Sequence, residues 1–124
     1  MLSRNDDRYQ YVIEIARQFG IFDCIPCARA IQVFLMEQRI PHIHIQLDTG
    51  SQNPIYGRIY DDSLDELIAT TGHHEGIAIM IDEQELIVDN LHPEGLPRST
   101  WLQNLYSPIL ELDQSYQITE TIYE

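Results

Sequence analysis

Basic residues are scarce in this chain. Across 124 residues, seven Arg and Lys stand against 20 Asp and Glu, a formal net charge of −13. That shortage argues against nucleic-acid and anionic-membrane partners, which require a positive footprint. No run approaches the roughly 18 consecutive apolar residues of a membrane-spanning helix. The opening MLSRNDDRYQ is polar and lacks an apolar signal segment. Cysteine is limited to two residues, Cys24 and Cys27, which could close at most one very short loop and so exclude a disulfide scaffold. A cytoplasmic setting is the expectation, with export on a larger partner left open. Repeats, low-complexity tracts and interdomain linkers are also missing, and one domain over residues 1–124 is expected. The 44 % apolar and 22 % charged composition suits a chain of this length with a real core.

The apolar periodicity gives an outline. Residues 7–19 put Tyr9, Val12, Ile13, Ala16 and Phe19 at helical spacing before Gly20. A second helix is expected from about Pro26 to Gln38, with Pro26 in its first turn and Ala30, Val33, Phe34, Ile31 and Met36 as packing residues. HIHIQLDTG alternates as a strand, residues 49–62 form a long loop, and DSLDELIATTG reads as a short helix. HEGIAIMI and ELIVD form a hairpin. Pro93, Gly95 and Pro97 break the chain, RSTWLQNLY is a short helix and SYQITETIY a last edge strand. Helices first and an antiparallel meander after them define an α+β fold.

The chemistry concentrates in CIPCARAI, where three readings compete. A redox pair would normally follow a strand within a βαβ unit, whereas here a helix and a loop precede it. A zinc site needs two further ligands, with His42 and His44 or His73 and His74 as candidates, but no second closely spaced pair is present. A nucleophile asks for a thiol at a helix N-terminus, with a base and an orienting group elsewhere. Cys27, one residue after Pro26, fits that position, with Cys24 just outside it. His74 opens a strand in which Gly76 and Ala78 share its face, small enough to let a helix approach closely. Asp89 ends the apolar run of the next strand. If Asp89 lies opposite His74, residue 76 faces 87 and 78 faces 85; a tight turn at Glu83–Gln84 would pair Ala78 with Asp89 instead. Trp101 reads as a core residue and His92 as a turn residue.

CIPCARAI, HEGIAI, VDNLHPEG and WLQNLYSPI, in that order over about residues 19–112, resemble the papain fold toxin 2 domain. The resemblance implies a papain-like fold, with a central Cys-bearing helix packed on an antiparallel sheet. It implies a cysteine hydrolase of peptidase or deamidase type, serving as the toxic tip of bacterial polymorphic toxins. Cys27 would be the nucleophile, His74 the general base and Asp89 its orienting carboxylate, with Asn90 as runner-up for the last role. The oxyanion would be met by Gln18 or by backbone N–H groups at Cys27. No cofactor is implied. The partners implied are a protein or peptide substrate and a cognate immunity protein. The alternative is a catalytically silent interaction module that uses the loop at 49–62.

Overall fold

A computed structural model describes residues 2–124. Helix α1 (Asp7–Arg17) starts at Asp6, whose carboxylate accepts the Arg8 main-chain N–H, and it buries Tyr9, Val12, Ile13 and Ala16. Helix α2 (Cys24–Glu37) begins two residues before the expected start. Pro26 is therefore its third residue, still within the turn whose N–H groups have no intrahelical partner. The buried stripe is Cys24, Cys27, Ala28, Ile31 and Leu35. Of the expected packing residues, Val33 and Met36 instead face solvent. A helix apolar over most of its circumference does not declare its inner face by periodicity.

The main sheet is antiparallel, in the order β6 (His92–Leu96), β5 (Gln84–Asp89), β4 (His73–Ile81), β1 (His42–Asp48), β8 (Gln117–Tyr123). A smaller sheet joins β3 (Glu66–Ala69), β2 (Ile59–Asp61) and β7 (Leu105–Tyr106). Helix α3 (Arg98–Asn104) precedes β7, and a 3-10 turn (Pro108–Leu112) follows it. The fold is α+β.

Two expected elements differ. The helix expected over DSLDELIATTG is a turn followed by β3. Asp61 Oδ1 accepts from both the main-chain N–H and the hydroxyl of Ser63, and Asp65 is left-handed at φ 53°, so the chain reverses instead of coiling. The segment expected to break around Pro93 and Gly95 is β6, an edge strand where a missing N–H is tolerated.

β4 divides the core. Ile77, Ile79 and Ile81 pack with Leu86, Val88, α1 and α2 on one side. Ala78, Ile87, Ile45 and Leu47 pack with Trp101 and the smaller sheet on the other. The small-residue face thus receives Trp101, not α2: a Cβ on Gly76 would lie 2.7 Å from Ile87 Cγ2 and 3.0 Å from Trp101 Cζ2. The β4–β5 register is neither of the two expected. Ile81 pairs with Gln84 and Ala78 with Ile87. The connection is Asp82–Glu83, both with positive φ (50° and 68°), the conformation of a type I′ turn, which matches the twist of the strands. Continued by two residues past Ala78–Ile87, this register sets Gly76 opposite Asp89. His74 then reaches Asp89 diagonally, over a residue without a side chain.

Candidate functional site

The ends of β4 and β5 and the N-terminus of α2 meet at one place. His74 is fully buried, and its Nε2 lies 2.9 Å from Asp89 Oδ2. The same oxygen accepts the Trp101 indole N–H at 2.8 Å, and the Trp101 ring tilts against the imidazole with centroids 5.7 Å apart. Asp89 Oδ1 accepts the main-chain N–H groups of Leu91 (2.9 Å) and His92 (2.7 Å). Burial alone would raise the Asp89 carboxyl; the His74 hydrogen bond and charge, the His92 charge and the Trp101 N–H outweigh it and hold the pKa below its usual value. An ionised Asp89 can only accept, so Nε2 keeps a proton and Nδ1 is the nitrogen at which the ring gains or loses one. Nδ1 is buried and makes no aligned hydrogen bond among the described residues. Burial lowers the imidazole pKa, but Asp89 and the neighbouring Cys24 thiol outweigh it and push it up to about 9.

The thiol beside the imidazole is that of Cys24. It is the first residue of α2 and at 6 % exposure the most open of Cys24, His74 and Asp89. Cys27, the expected nucleophile, lies one turn deeper, in the hydrophobic cluster with Ile31, Ile77 and Val88, and is 1 % exposed. Burial, with added repulsion from Asp89, Cys24 and Asp23, pushes its thiol up to about 12. Both thiols are free. Asn90 does not take the third position. Its Nδ2 donates to Gly20 O at 2.7 Å, tying the loop before α2 to the turn after β5.

At the mouth of the site, Asp23 accepts from the Gly20 N–H and makes no side-chain cap bond to α2. The first N–H groups of the helix are left without a cap there. Ile21, Phe22 and Ile25, which flank Cys24 in sequence, are exposed apolar residues, and Phe22 is left-handed at φ 72°. Gln18 caps the C-terminus of α1 through its main-chain N–H.

The remaining histidines are engaged separately. His42 bonds Ile40 O and stacks on Tyr123, His44 bonds Glu75, and His73 bonds both Glu75 and Asp48. Among the described residues no group of three or more His, Cys, Asp or Glu is arranged to hold a metal ion.

Sequence reading missed the roles of Trp101 and His92. A usable signal existed for Trp101, since a buried indole N–H requires an acceptor. None existed for His92, whose ring bonds Asp61 Oδ2 at 2.6 Å across 31 residues of sequence.

The sequence matches papain fold toxin 2 over residues 7–106, from α1 to β7, with Cys24, His74 and Asp89 inside the match. The chain belongs to the papain fold toxin 2 family. No curated protein and no solved structure matches it. In this papain fold toxin domain Cys24 stands at the helix start, where Cys27 was expected, and His74 lies at a strand start as expected. The matched region ends before β8, the outermost strand of the main sheet.

Proposed function

We propose that this papain fold toxin domain is a cysteine hydrolase acting on an amide, with Cys24 as nucleophile, His74 as acid and base, and Asp89 as the orienting carboxylate. The observation that carries the reading is the buried His74–Asp89 hydrogen bond of 2.9 Å, which leaves Nδ1 free beside a thiol at a helix start. With His74 Nδ1 holding the proton of Cys24 Sγ, the thiolate attacks the carbonyl carbon. Charge developing on the carbonyl oxygen meets the uncapped N–H groups of Cys24 and Ile25 at the start of α2. The imidazolium then protonates the leaving amine as the C–N bond breaks, giving a thioester. Water, deprotonated by His74, cleaves the thioester and returns the thiol. Asp89 fixes the ring and stabilises the imidazolium without taking its proton. The same steps serve peptide cleavage and side-chain deamidation.

The exposed apolar side chains of Ile21, Phe22 and Ile25, flanking Cys24 in sequence, suit a protein or peptide substrate. The family points the same way: to a protein target, delivery within a larger secreted chain, and a cognate immunity protein.

The test compares Cys24→Ala, His74→Ala and Cys27→Ala. Growth arrest on cytoplasmic expression and amide hydrolysis on a peptide library report activity, and circular dichroism reports folding. Loss of activity in the first two with retention in the third is the expected result, because members of a catalytic unit fail together. A folded, fully active Cys24→Ala protein would falsify the reading.

A further inference from the structure

A second His–carboxylate pair, a half-buried His92 on a buried Asp61, adjoins Asp89. Asp61, on β2 of the smaller sheet, is fully buried, and its Oδ2 lies 2.6 Å from His92 Nε2. Its other oxygen is occupied by the N–H (3.0 Å) and the hydroxyl (2.5 Å) of Ser63, so the carboxylate is fixed on both sides. His92 is the first residue of β6 and pairs with Asp89 across the turn at Asn90–Leu91. Its main-chain N–H donates to Asp89 Oδ1 at 2.7 Å, the shortest of the four hydrogen bonds on that carboxylate. One residue thus grips Asp89 by its backbone while its side chain is anchored in a different sheet.

We propose that His92, anchored by Asp61, is a positioning residue of the candidate site: it locks the Asp89 carboxylate so that Oδ2 faces His74. This rests on the hydrolase reading for its purpose, but not for its geometry. The Asn90–Leu91 turn alone can donate N–H groups to Asp89, as any Asx-type turn does. What it lacks is a fixed direction, because β5 and β6 slip by a bulge just there, between Ile87 and Asp89. The cross-link to β2 removes that freedom. It also explains a costly choice: a buried carboxylate is tolerated only when paired and fully hydrogen-bonded, and Asp61 meets both conditions through His92 and Ser63. The chain places a second buried carboxylate where apolar packing would serve stability as well.

The experiment uses the whole chain and needs no substrate. One readout is the downfield ring N–H proton of His74, whose position reports the hydrogen bond to Asp89. The other is the pH profile of Cys24 alkylation by iodoacetamide, mapped by mass spectrometry. His92→Ala and Asp61→Asn are expected to broaden or shift the His74 resonance, to displace the alkylation profile, and to slow alkylation at neutral pH by about tenfold to a hundredfold, the penalty of a misaligned catalytic group. His92→Gln, whose amide N–H can reach Asp61 in place of Nε2, is expected to restore both readouts most of the way. Wild-type-like resonance and profile in folded His92→Ala or Asp61→Asn overturn the proposal. So does a His92→Gln protein that behaves like His92→Ala. If Asp61→Asn fails to fold, the His92 pair, at the more accessible end of the contact, decides alone. Failure of the hydrolase reading shows separately, as an active Cys24→Ala protein with the His74 resonance still sensitive to His92.

Discussion

Trp101 and His74 share one oxygen of Asp89: the indole N–H donates to Oδ2 at 2.8 Å and the imidazole Nε2 at 2.9 Å. The two rings are held side by side by a common acceptor, over a glycine that leaves them room. Core packing and the candidate chemistry are therefore one construction here.

Trp101→Phe keeps an aromatic ring but removes the N–H together with part of the indole's volume. Asp89 then loses one of four hydrogen bonds in a fully buried setting. Destabilisation of about 1–3 kcal/mol is expected in urea unfolding, together with a weakened hold on His74. A variant as stable and as active as wild type would show that the indole N–H bond to Asp89 contributes nothing.

Gly76→Ala places a Cβ 2.7 Å from Ile87 Cγ2 and 3.0 Å from the Trp101 ring. Neither neighbour can withdraw easily, since Trp101 is fully buried. Overpacking of about 1–3 kcal/mol follows, and a displaced Trp101 should also change its fluorescence. An unchanged melting temperature and emission spectrum would contradict the packing described.

The two thiols should differ sharply in brief iodoacetamide labelling near neutral pH. Burial holds Cys27 as the neutral thiol, its pKa pushed up to about 12, and only thiolate reacts. Cys24, at the helix start beside His74, should be labelled first. Preferential labelling of Cys27 would restore the sequence-based choice of nucleophile.

Stability should fall on the alkaline side. The folded-state pKa of His74 is raised to about 9, above the ordinary value of about 6.5 expected when unfolded. A raised folded pKa stabilises fully below the unfolded value, and that contribution is lost as pH rises through the folded one. Melting temperature should decline between about pH 6.5 and 9, and more steeply in wild type than in His74→Gln. Asp89 has the opposite sign: its lowered pKa stabilises above the unfolded value and is lost as pH falls toward the acid range. Equal alkaline slopes for wild type and His74→Gln would remove His74 as the titrating group.

Local pattern alone determined a good deal of this protein. Period 3.6 over residues 7–19 and period 2 in the β1, β4 and β5 segments specify elements, because side-chain direction along a helix or strand follows from backbone geometry. Four spaced motifs sufficed for the family, and the His and Asp at strand ends could be picked out as candidates. The β2–β3 hairpin was not legible, because Glu66–Ala69 is too short for either period to assert itself, and the Asp61 turn and left-handed Asp65 decided it.

Only the tertiary structure sets the two cysteines apart in depth. Cys24 and Cys27 lie on the same buried stripe, three residues or about 4.5 Å of helix rise apart, so periodicity cannot separate them. What separates them is height along α2 relative to the end of the sheet, and that is set by packing Ile31 and Leu35 against Ile77, Ile79 and Ile81. The Asp89 environment is non-local for the same reason. Trp101 lies 12 residues on in sequence, and Asp61 is 31 residues from His92. These partners belong to different elements, and no spacing in the chain encodes the distance between them once both sheets have packed on Trp101.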